Sequence, residues 1–179
     1  FTAETAGTLD RLKAEALIAS TRANEGDAKA AGNWFKAAND TLLDMRNPID
    51  QLAALPVLAR HYYAANDLAT AEELLGWSRH GLLSIPPSDR RDDIVESVAA
   101  SYAALGLIDE AALTTRYFFT GALERDLRLA RLAREAAERG QFLPAQGLVS
   151  LIDSGAQRSA TRARMSLIAR FQGQVELAD

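Results

Sequence analysis

No cysteine occurs among the 179 residues, which excludes disulfides, thiolate metal sites and cysteine nucleophiles and leaves no redox clue to compartment. Cytoplasm and periplasm both stay open. No uninterrupted apolar run approaches the ~20 residues that a membrane span requires, and no charged-then-apolar targeting segment opens the chain. The first residue is Phe1 rather than Met, as in a processed or trimmed chain, so a leader removed beforehand is compatible with the sequence. A basic excess is missing as well. The formal net charge of −4 and a pI near 5.3 argue against a general nucleic-acid or anionic-membrane binder, whose expected mark is a basic footprint.

Chemistry-bearing patterns are equally scarce. The two histidines, His61 and His80, stand nineteen residues apart without carboxylates at metal-ligand spacing, and read as half-buried or surface side chains. The sequence holds no Ser/His/Asp order, no phosphate-cradling glycine loop and no HExxH helix. No catalytic, cofactor-binding or metal-binding residue is therefore expected, and no cofactor.

What is present is helix-forming material. Ala, Leu, Glu and Arg dominate and β-branched residues are few, so the side chains that lose least rotamer freedom in a helix fill nearly every window. A chain of this length makes one domain with a real core, burying roughly 70% of its unfolded surface. The net charge is uneven: residues 1–123 hold 11 Lys+Arg against 17 Asp+Glu, whereas residues 124–179 hold 9 against 7, and all nine cations there are Arg.

A repeat organises the chain. A small or helix-breaking residue is followed five positions later by Ala at Gly26/Ala31, Asn66/Ala71, Gly106/Ala111, Gly140/Ala145 and Gly173/Ala178, with spacings of 40, 40, 34 and 33 residues. Eight and seven residues before each turn lie Ile18-Ala19, Leu58-Ala59, Val98-Ala99, Leu132-Ala133 and Met165-Ser166, large then small each time. Two residues after each turn comes Ala28, Leu68, Ile108, Phe142 or Val175, expected to plug the hairpin where its helices meet. Gly or Asn tolerates the left-handed conformation that ends one helix, and Asp27, Asp67 and Asp109 suit the start of the next. The recurrent alanines fall where two backbones approach, which makes them packing positions.

A hairpin of ~34 residues with Gly at the turn and Ala five later resembles the tetratricopeptide-repeat family. Tyr62 and Tyr102 match its aromatic position late in the first helix, whereas Arg22, Ala136 and Ala169 replace that tyrosine in the other units. No Trp holds the early aromatic position, and the closing proline is displaced or absent. The resemblance spans essentially the whole chain and implies an all-α fold without β-sheet: a right-handed α–α superhelix of about five hairpins in a single domain, 1–179. Its units run approximately 8–47, 48–87, 88–123, 124–155 and 156–179, the last incomplete. The first two units are six residues longer, and Trp34, Phe35, Ala38, Leu42 and Met45 place the excess in the second helix. Asn47-Pro48 and Pro86-Pro87 read as stops between repeats. Helices are expected at 4–24, 28–46, 49–65, 68–83, 89–105, 108–121, 124–139, 142–153, 156–171 and 174–179.

Two charged clusters stand out. Asp92, Asp93 and Glu96 open the fifth helix, where the macrodipole accounts for them; a cation or basic peptide is the alternative use. Arg125, Arg128, Arg131 and Arg134 recur every three residues, with Arg158, Arg162 and Arg164 two helices later. They read as a solvated face, partly neutralised by Glu124, Glu135 and Glu138, or as a docking patch for an acidic peptide or phosphate.

The family presents the first helix of each hairpin along an inner groove. By register the groove residues here are Lys13, Asn24, Arg60, Tyr63, Asp93, Glu96, Arg134, Glu138 and Arg170. Both charges and an aromatic fit a protein or peptide better than an anionic polymer, and Ala16 and Ser20 stand where chaperone-binding members carry the groups that clamp a terminal carboxylate. The expectation is a scaffold or adaptor that holds a polypeptide. The alternatives are a ligand- or peptide-sensing arm of a larger bacterial regulator, a self-assembling module with an apolar end formed by Leu167, Phe171, Val175 and Leu177, and, last, an enzyme.

Overall fold

The computed structural model describes residues 3–174. Among the described residues all regular structure is helical and no strand occurs, as composition and repeat required. The helices are α1 Ala3–Asn24, α2 Ala28–Asp44, α3 Pro48–Ala64, α4 Leu68–Leu82, α5 Asp89–Ala104, α6 Ile108–Phe118, α7 Ala122–Glu138, α8 Phe142–Ser150 and α9 Gly155–Phe171. Of the short tenth helix expected over 174–179, only Gln174 is described.

Every expected turn is the same piece of backbone. Gly26, Asn66, Gly106, Gly140 and Gly173 have φ of +83°, +64°, +81°, +78° and +73°. In the first, the Gly26 amide donates to the Ala23 carbonyl and the Asp27 amide to Arg22. The same pair of bonds recurs at Asn66, Gly106, Gly140 and Gly173, and closes each helix with a left-handed cap. The residue after the turn then opens the next helix: the amides of Ala31, Ala71, Ala111 and Ala145 donate to the carbonyls of Asp27, Asp67, Leu107 and Gln141. That explains the offset of five, since the signature alanine makes one of the new helix's first backbone bonds while its methyl is buried against the partner helix. Ala178 lies outside the described residues.

Side chains reinforce two of these starts. Asp27 and Asp67 accept from the amides of Ala30 and Thr70, whereas Leu107 and Gln141 make no such bond. Asp109 sits in the first turn of α6, where the macrodipole favours it. The expected plug is real only late in the chain. Phe142 is buried and Ile108 half-buried, but Ala28 and Leu68 are exposed; Val175 lies outside the described residues.

The extra length of the first two units does lie in the second helices, 17 residues in α2 and 15 in α4 against 11 in α6 and 9 in α8. Pro48 differs from its expected role. It does not stop α2, which ends at Asp44, but starts α3 at a position where a missing amide is harmless, with Asn47 capping through the Ile49 amide. α6 and α8 each end three residues early. Phe119 turns extended and buries its ring, and the Asp126 carboxylate takes the amides of Asp153 and Ser154 out of any continuation of α8.

The chain divides into two compact units, Phe1–Ser101 and Tyr102–Asp179, with the division inside α5. In the first, α1 packs on α2 and α3, and α3 on α4. Its part of α5 is tied to α3 by the Arg90–Asp50 ion pair and by the Ser101 hydroxyl, 3.5 Å from the Pro56 carbonyl. In the second, α7 packs on α8 and α9, with α6 against α7 and α8. Each unit thus lays first helices side by side: α1 with α3, and α7 with α9.

Candidate functional site

The nine residues chosen by register fall six in the first unit and three in the second. On α1, Lys13 and Asn24 are exposed, and the Lys13 ammonium lies 3.4 Å from Asp10. On α3, Arg60 is exposed and Tyr63 keeps 40% of its surface open, large for an aromatic. On α5, Asp93 is exposed and Glu96 half-buried. In the second unit, Arg134 and Glu138 of α7 are one turn apart and pair at 3.9 Å, and Arg170 of α9 is exposed. Of the nine, Arg134 and Glu138 pair directly with each other.

The arginine stripe on α7 is largely neutralised where it stands. Arg128, Arg131 and Arg134 pair with Glu124, Glu135 and Glu138 one turn away, and Arg125 pairs with Asp153 at the end of α8. Arg128 also lies 4.6 Å over the Phe119 ring. Arg162 and Arg164 on α9 are exposed. The expected apolar end is visible in part: Leu167 is 55% and Phe171 90% exposed, one turn apart on α9, while Val175 and Leu177 lie outside the described residues.

Register did not point to a cleft in the first unit. A cleft of about 600 Å³ lies at the turn end of the first hairpin, walled by Ala23, Gly26, Ala28, Ala31 and Gly32 on one side and by Tyr62, Ala65 and Asp67 on the other. Its apolar part is the pair Phe35 and Tyr62, stacked at 4.0 Å between ring centroids with 13° between planes. The Asn39 amide donates to the Tyr62 hydroxyl at 2.8 Å. Burial pushes the Tyr62 phenol above its ordinary value, against the opposing pull of that hydrogen bond, so the hydroxyl keeps its proton at neutral pH. Lys36, exposed on the rim, makes no ion pair among the described residues, Asp40 one turn on included. Asp67 is the opposing charge, and both its oxygens are engaged by the amide and hydroxyl of Thr70. The sequence signal for this cleft is the set of small residues Ala28, Ala30, Ala31 and Gly32; the second hairpin has Leu68 and Glu72 at the equivalent places of Ala28 and Gly32.

Two further polar contacts tie α1 to its neighbours. Glu15, buried, accepts from the Thr41 hydroxyl of α2 at 2.7 Å and from Arg11 at 2.8 Å. That contact holds the Arg11 guanidinium above its ordinary pKa. Ser20, also buried, lies 3.1 Å from His61 Nδ1. Burial, then the nearby Arg60 charge, lowers the His61 pKa. His80 is exposed on α4. Among the described residues no three His, Asp or Glu side chains group closely enough to hold a metal ion, and no helix is long and apolar enough to cross a membrane.

Comparison of the chain with protein-family models, with curated proteins and with solved structures finds no match in any of the three.

Proposed function

We propose that the chain is a tetratricopeptide-like scaffold, a right-handed α–α superhelix of hairpins that holds a protein or peptide partner against its first helices, and that it catalyses no reaction. The observation that carries this is the recurrent turn: the same left-handed cap at five places, followed five residues on by a buried alanine at the four where that alanine is described, with first helices side by side within each unit. Within each unit such stacking lines up first-helix positions, whose side chains are Lys13, Asn24, Arg60, Tyr63, Asp93 and Glu96 in the first unit and Arg134, Glu138 and Arg170 in the second. Interfaces concentrate their energy in a few aromatic and Arg anchors, which singles out Tyr63 and Arg60.

The test is affinity capture with the wild-type chain and with the double variant Arg60→Ala/Tyr63→Ala. Loss of the captured partner at unchanged helicity supports the groove, and full retention by the folded variant removes it.

The cleft beside Phe35 and Tyr62 favours a second reading, a sensing arm in which a small ligand or peptide biases how the hairpins are held. An attached effector domain in the full-length gene is what this version requires.

A further inference from the structure

Gly32, like Gly7 and Gly76, sits inside a helix with open space where a Cβ would be, and of the three it is Gly32 that lines the cleft. It lies inside α2, where glycine is roughly 1 kcal/mol worse than alanine, yet its φ is not left-handed and a Cβ built on it meets nothing within 4 Å. Gly81 shows the contrasting case: there a Cβ would lie 2.4 Å from the Leu52 side chain, so close packing accounts for the glycine. At Gly32 neither backbone nor packing asks for it. What it provides is open space in the wall of the 600 Å³ cleft, a volume within the range of small-molecule sites.

The polar groups around that space indicate the ligand. Tyr62 already accepts from Asn39, so its own proton is free to be donated, and the Lys36 ammonium has no counter-ion among the described residues. Both are donors. The one carboxylate in the wall, Asp67, is held by Thr70 and would repel a ligand anion brought near it, which orients a negative group towards Lys36 and disfavours a second one. The same cleft is lined by the apolar Phe35–Tyr62 stack. We infer that this cleft binds a monoanionic carboxylate carried on a small apolar body, the hydrocarbon against Phe35 and Tyr62 and the carboxylate at Lys36 and the Tyr62 hydroxyl.

The same chemistry is offered by a free apolar acid and by the terminal carboxylate of a peptide ending in an apolar residue. This site uses none of the nine groove residues, so it stands or falls separately from the scaffold reading.

Isothermal titration of the whole chain with phenylacetate, indole-3-acetate and the blocked tripeptide N-acetyl-Ala-Ala-Phe, each beside its uncharged amide, tests it. Saturable binding of an acid is expected, at least about tenfold tighter than its amide. Gly32→Leu should abolish that binding while leaving the melting temperature unchanged or higher, and Lys36→Met should reduce the acid to the level of the amide. Preference for the tripeptide assigns the site to a chain terminus, and preference for the small acids assigns it to a free acid. The inference is overturned if no acid saturates by about 10 mM, if amides bind as well as acids, or if folded Gly32→Leu binds like wild type.

Discussion

The hydroxyl of Ser78 in α4 donates at 2.9 Å to the carbonyl of Leu52 in α3. Four residues on from Leu52 stands Pro56, which has no amide to return and so leaves that carbonyl without its helical donor. Ser78 is fully buried, and no water reaches the pair from its side. Ser78→Ala should therefore destabilise the chain by ~1–3 kcal/mol, the range for orphaning a buried polar group. Pro56→Ala in that background restores the amide and should recover most of the loss. Urea unfolding of the two single variants and the double variant measures the coupling; simple additivity would show that the serine is not substituting for the missing donor.

The contrast between this contact and the turns shows what the sequence could reveal. A left-handed cap needs Gly or Asn at one position and the next helix starts at a fixed offset, so Gly26, Asn66, Gly106, Gly140 and Gly173 could be read from local pattern alone. Pro56 passed as ordinary helix because the serine that accommodates it lies 22 residues later. Glu15 with Thr41, and Asn39 with Tyr62, are likewise meetings of separate helices, and no local period encodes them. The ends of α6 and α8 were placed too late for the same reason: burial of Phe119 and capture of amides by Asp126 override helix propensity there. Of the candidate sites, the first-helix positions followed from register, whereas the cleft depends on α2 and the end of α3 coming together.

Asp126 holds the link between α8 and α9. Its side chain is 2% exposed, and its two oxygens accept from the amides of Asp153 and Ser154 at 3.0 and 2.8 Å. Carboxylate-to-amide bonds of this kind are worth more than neutral ones. Asp126→Ala should destabilise the chain by ~1.5–3 kcal/mol, because two part-buried, charge-assisted hydrogen bonds to the link are lost together. Amide exchange checks the location as well as the size: protection at residues 153 and 154 should fall first. Exchange there at the wild-type rate would contradict the assignment.

His61 sets a pH dependence with a definite sign. Burial and the nearby Arg60 charge lower its folded-state pKa from the ordinary 6.5, so the unfolded chain takes up a proton first as pH falls. The stability it contributes is then complete above about 6.5 and is lost as pH falls through the folded pKa. Melting temperatures of wild type and His61→Gln between pH 8 and pH 5 should diverge, wild type losing more on acidification, since Gln keeps a partner for Ser20 without titrating. An imidazole that titrates by NMR at or above 6.5 would reverse the sign and refute this.

Two glycines six positions apart should respond in opposite directions to the same change. Gly26 has φ of +83°, a conformation that side chains with a Cβ adopt at a penalty of ~1–2 kcal/mol, so Gly26→Ala should destabilise by about that amount. Gly32 is helical with open space beside it, so Gly32→Ala should stabilise by ~0.5–1 kcal/mol through helix propensity and a less disordered unfolded chain. Chemical denaturation of the two variants reads both. The second result also bears on the cleft. A stabilising Gly32→Ala excludes a packing requirement for the glycine and leaves the open cleft wall as what it provides. If Gly32→Ala instead destabilises, the glycine serves α2 itself, and the open wall loses its significance as a sign of a ligand.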